Sequence, residues 1–91
     1  MIRRKVRSYL PQLQEIYGEA LRRDPSLRGK VVVRFVVGPS GAVERAEAAG
    51  GTVRDEAFTG AVAGRVRRWT FEPARELPVE VSYPFSFRPP A

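Results

Sequence analysis

From residue 8 onward apolar residues recur at spacings of three and four. Tyr9, Leu10, Leu13, Ile16, Tyr17, Ala20 and Leu21 form one stripe, which predicts an amphipathic helix. Ser8 is placed as its N-cap and Pro11 in the first turn, where a missing N–H costs little. Arg22 and Arg23 suit the C-terminal end of the helix dipole, and Asp24-Pro25 stops the helix. Residues 1–7 are basic and are expected to be irregular or extended, a flexible segment ahead of a single domain over residues 8–89.

The period then changes to two. In RGKVVVRFVV, Val31, Val33, Phe35 and Val37 lie on one face and Val32, Arg34 and Val36 on the other, and apolar content on both faces suits a central strand. GPSG at 38–41 signals a turn, with AVERAEA as a short, weaker return strand. AGGT at 49–52 reads as a flexible link to a second helix from about Asp55, with Phe58, Ala61, Val62, Arg65, Val66 and Trp69 on its buried side.

The last element, VEVSYPFSF at 79–87, alternates cleanly. Val79, Val81, Tyr83, Phe85 and Phe87 are expected inward, and Glu80, Ser82, Pro84 and Ser86 outward. Backbone hydrogen-bonding groups alternate along a strand too, so the even residues address one edge. Pro84 has no N–H to give there, which predicts an edge strand open on its even side. A right-handed crossover through the second helix places this strand beside the first. The predicted fold is therefore α+β: an α-β-β-α-β two-layer sandwich with a three-stranded antiparallel sheet of order 2-1-3 and both helices on one face.

Composition narrows the function. Ninety-one residues, 43% hydrophobic and 29% charged, suit one small core, and no apolar run reaches the roughly 18 residues of a membrane span. The chain has neither cysteine nor histidine, which excludes disulfides, Cys-His and Ser-His-Asp catalysis and the common zinc sites. Carboxylates are scattered singly, and Ser40 in GPSGA lacks the nucleophile-elbow spacing. No enzyme, cofactor or metal is expected. MIRRKVRSYL lacks the apolar stretch of a signal peptide.

A net charge of +6 points to anionic partners. The positive charge gathers at Arg3, Arg4, Lys5 and Arg7, at Arg22, Arg23 and Arg28, and at Arg65, Arg67 and Arg68, the last three being candidate anion contacts. Helix-end charge on a solvated surface accounts for such clusters more readily than a ligand does. Nucleic acid is disfavoured, because a sheet that binds single strands presents aromatics on its open face and here they are expected inward. Gly60 and Gly64 fall away from the buried side of the second helix and read as exposed surface.

YGEALRRDPSLRGKVVVRFVVGPSGAVERAEAAGG, VRRWTFEP and VEVSYPFSF, in that order, closely resemble the TonB-like C-terminal domain, especially the myxobacterial AgmX/PglI (GltJ-type) branch. The resemblance spans about Val6 to Pro89. Its most specific parts are the Tyr17-to-Pro25 helix end, Gly29 with the strand after it, the Gly38-to-Val43 hairpin, Arg68-Trp69-x-Phe71 and Tyr83-Pro84-Phe85-x-Phe87. It implies the same α-β-β-α-β fold and a periplasmic domain of a long inner-membrane-anchored protein that serves energy transduction, transport or gliding motility. The anchor and linker are absent from this chain, which is then an excised domain or a stand-alone relative. Branch members commonly carry cysteines where Ile16 and Ala61 stand, so an apolar contact is expected in place of a disulfide.

The resemblance also implies that a partner's extended peptide adds as a strand along the last strand. The expected docking edge is Glu80, Ser82, Tyr83, Pro84, Phe85, Ser86 and Phe87, with an outer-membrane or envelope protein as partner and a homodimer as a further arrangement. Two rival readings remain: Pro84 as a guard against edge-to-edge aggregation, and an anionic polymer or surface bound through the arginine clusters.

Overall fold

The computed structural model describes residues 2–73 and 78–89. Helix α1, Ile2–Arg23, starts a turn and a half before Ser8. The expected irregular start is thus helical, and two placements change with it. Ser8 lies inside the helix, its Oγ donating to the Lys5 carbonyl at 2.6 Å, and Pro11 is interior. An interior proline costs about 3 kcal/mol. Upstream, Val6 is fully buried, worth roughly 1.5–3 kcal/mol, and the Lys5 ammonium lies 5.5 Å from the Tyr9 ring centre. Those gains, with Pro11 on the exposed side, carry the helix through.

Strand β1, Gly29–Val37, is central, with β2, Val43–Gly51, and β3, Val79–Phe87, antiparallel on either side. The order is β2-β1-β3, as the crossover argument required. The turn between β1 and β2 closes with Gly38 N–H donating to the Ala42 carbonyl at 2.9 Å. Gly41 adopts a φ of 93°, and a Cβ there would meet the Phe71 carbonyl oxygen. β2 continues through Ala49-Gly50-Gly51, which the sequence suggested was a link. Pairing with β1 outweighs the weak strand propensity of these residues.

Helix α2, Glu56–Val66, follows with Asp55 as N-cap, its carboxylate accepting from the Phe58 N–H at 3.0 Å. Its buried side is Phe58, Val62, Ala63 and Val66. Ala61 is exposed and Arg65 half-buried, so the expected face is rotated slightly toward Ala63. Gly60 and Gly64 are exposed, and a Cβ at either meets nothing within 4 Å. Ile16 and Ala61 line the same surface cleft between the helices, beside Ala20 and Phe58.

The core lies between the helices and the odd face of the sheet, where Val31, Val33 and Phe35 are wholly buried. Trp69 locks the layers together. Its ring stacks on Tyr9 at 4.6 Å, its Nε1–H donates to the Gln12 Oε1 at 2.9 Å, and Phe85 meets it edge-on at 6.1 Å. The Tyr9 hydroxyl donates to the Thr70 carbonyl at 2.8 Å, and the Phe71 N–H donates to the Gly41 carbonyl at 2.7 Å. Arg68-Trp69-x-Phe71 therefore ties α1, the hairpin turn and β3 into one body.

Candidate functional site

A three-stranded sheet has two edges, and this one treats them differently. Along β2 the register with β1 shifts twice, leaving Ala49 and Glu44 as extra residues that bulge the strand. Arg67 donates to the Val43 carbonyl at 2.6 Å, and Thr70 bridges to Ala42 beside the start of the strand. Bulges and covering groups of this kind blunt an edge. β3 has no such irregularity, pairing with β1 in unbroken register from Gly29–Phe87 to Val37–Val79.

The side to which β3 presents its backbone follows from Lys30. Its carbonyl accepts from the N–H groups of Thr52 and Val53 at 2.8 and 3.3 Å, and its own N–H donates to the Thr52 Oγ1 at 2.9 Å. Lys30 therefore faces the β2 side. Because β1 carries no bulge of its own, its even residues all face β2 and its odd residues face β3. The odd residues pair with odd residues: Val31 with Phe85, Val33 with Tyr83, Phe35 with Val81. Glu80, Ser82, Pro84 and Ser86 thus turn their backbone groups to the open edge. That edge offers four carbonyls but only three N–H donors, since Pro84 has none.

The side chains sort by face. Those of Glu80, Ser82, Pro84 and Ser86 are exposed on the helix-free face, opposite Val36, Arg34, Val32 and Lys30. On the helix side burial is graded, which corrects the uniform inward expectation. Phe85 and Phe87 are 3% exposed, Tyr83 and Val81 half-buried, and Val79 is 39% exposed. The aromatic cluster accounts for the gradient. Phe87 packs against Tyr17 and Phe58 with ring centres 5.2 and 5.0 Å apart, and Tyr83 meets Phe85 at 4.8 Å. Toward Val79 the cover thins, leaving an apolar strip beside the open edge. Alternation in the sequence gives the face but not the depth of cover, which depends on how far the helices reach along the strand.

Within the basic clusters, some side chains are committed to contacts inside the fold. Arg67 is committed to the Val43 carbonyl and Arg65 is half-buried, which leaves Arg68 exposed beside them. Arg23 pairs with Asp55 at 3.5 Å across the helix layer. In the N-terminal cluster Arg4, Lys5 and Arg7 are exposed, while the Arg3 side chain lies outside the described residues. Among the described residues no three acidic side chains stand close enough to hold a metal ion, and no helix is long and apolar enough to cross a membrane.

Tyr17 sits behind the Phe87 end of the edge. Burial raises its phenol above the ordinary range, and the Arg28 guanidinium partly opposes that rise. Its hydroxyl donates to the Leu27 carbonyl, which leaves the buried oxygen satisfied.

In comparison with known proteins, the family described as Gram-negative bacterial TonB protein C-terminal matches residues 19–89. No curated protein and no solved structure matches the chain.

Proposed function

The chain belongs to the family of Gram-negative bacterial TonB protein C-terminal domains, and on that premise we propose that its β3 edge docks an extended segment of an envelope protein by β-augmentation. Domains of this family are periplasmic, non-enzymatic protein-interaction modules. The observation that carries the proposal is the asymmetry of the sheet: one edge is bulged and covered, and the other presents nine residues in unbroken register. An added strand would pair with the outward groups of Glu80, Ser82 and Ser86 and lose one rung at Pro84. Its inward side chains would lie along the strip of Val79, Val81 and Tyr83, which supplies selectivity.

The resemblance to the AgmX/PglI branch extends this reading to a role in energy transduction or gliding-motility machinery, within an inner-membrane-anchored parent protein. The test is a titration of the isotope-labelled domain with a panel of ten-residue peptides from outer-membrane and envelope proteins. Amides of residues 80–88 should shift, with modest dependence on salt. Shifts confined to Arg22, Arg23 and Arg65–Arg68, falling steeply as salt rises, would replace peptide docking with binding of an anionic surface.

A further inference from the structure

A shallow depression of about 460 Å³ opens at the end of the sheet where β1 begins and β3 ends. Arg28, Lys30 and Arg88 stand around it, with Thr52, Ser86 and Phe87 completing the wall, and no carboxylate of the described residues lines it. Among the described residues none of the three cationic side chains has a hydrogen-bond or ion-pair partner. Cations left unneutralised around a concavity focus a positive potential there, and guanidinium groups match carboxylates in shape as well as charge.

This depression joins the β3 edge directly. Ser86 lines it, and the Ser86 N–H is the last donor facing outward from the strand. At the far end of the same strand Glu80 is exposed. The edge therefore runs from a negative end to a positive one. We infer that the segment docked on β3 carries one or two carboxylate side chains at or just beyond the residue that pairs with Ser86, seated among Arg28, Lys30 and Arg88; this rests on the β3-edge reading above.

Strand spacing makes the contact reachable. A side chain on the helix-free face of an added strand looks across Ser86 toward Lys30, two strand spacings or roughly 10 Å away. A glutamate and a lysine side chain span that gap together, and the small Ser86 between them leaves it clear. The acid would then fix the register of the added strand, which the gap at Pro84 alone leaves loose.

The test uses four blocked decapeptides of alternating Thr and Val at millimolar concentration. Two end in Asp-Glu, at one terminus or the other, and two carry Asn-Gln in the same places. One acidic peptide should bind about fivefold or more tighter than its amide counterpart at low salt, and should shift both the edge amides and those of Arg28, Lys30 and Arg88. The advantage should vanish in Lys30→Gln/Arg88→Gln and near 0.5 M salt, roughly, with the amide peptide unaffected. Edge shifts with equal affinities for acid and amide would overturn the inference and leave the edge reading standing. Acid-dependent shifts at the depression with none at 80–83 would overturn the edge reading, and with it the inference that the acid belongs to an added strand.

Discussion

Replacing Pro84 with valine would add one N–H donor to β3 without altering its β1 partner, and the direction of that donor follows from the Lys30 backbone groups, which face β2. The register pairs Val32 with Pro84, and the groups of Val32 face β2, so the new N–H must face the open edge. In the free domain it would point into water. Stability should then change little: loss of proline's restraint on the unfolded chain costs about 0.4–1 kcal/mol, and valine's strand preference returns up to about 1 kcal/mol. With a docked strand the donor completes a rung worth roughly 0.5–1.5 kcal/mol net, a two- to twelvefold gain in affinity. Amide exchange reads the site directly. The residue-84 amide of Pro84→Val should exchange quickly in the free monomer and slowly in the peptide complex. A protected amide in the free monomer, with a stability gain above about 1 kcal/mol, would place the donor in the β1 ladder and refute the assignment. Dimers in sedimentation velocity, with no gain in peptide affinity, would make Pro84 a guard against self-pairing alone.

Two predictions concern the scaffold. Gly60→Ala and Gly64→Ala should each raise the free energy of chemical unfolding by about 0.5–1 kcal/mol, because both glycines are exposed within α2 and an added Cβ meets nothing. Gly41→Ala should lower it by more than about 1 kcal/mol, since its positive φ and the Phe71 carbonyl leave a Cβ no place. For Tyr17 the folded state holds the phenolic proton more tightly than the unfolded chain, whose value is 10.0. Stability should be intact below pH 10, roughly, and decline as pH rises from there through the higher folded value; Tyr17→Phe should flatten this alkaline limb in urea titrations, and equal slopes would remove Tyr17 as its cause.

What the sequence made legible follows from how local the signal is. Alternation placed β3 and its two faces, and the proline marked its open side, because both are properties of single residues on one strand. The start of α1 was hidden by Pro11, which reads naturally as a first-turn residue; yet Val6, Leu10, Leu13, Tyr17 and Ala20 keep spacings of four and three, so the stripe could have been followed back. The end of β2 was hidden because Ala49, Gly50 and Gly51 have little strand preference and are held by their neighbour. Neither Arg67's use on the Val43 carbonyl nor the depression beside Ser86 could be read locally. Each joins residues more than twenty positions apart.

The sheet order also sets a sequence of events during folding. Val33 pairs with Ala48 across a short hairpin and with Tyr83 across the rest of the chain, so closing the first pairing restricts far less chain than closing the second. Until β3 arrives, the exposed edge belongs to β1, where Val31, Val33, Phe35 and Val37 offer every donor and no proline intervenes. The edge that carries Pro84 exists only once the fold is complete. For the nascent chain, Lys30 and Arg34 are the two charges along that strand, and Arg34 is the one set within its apolar run.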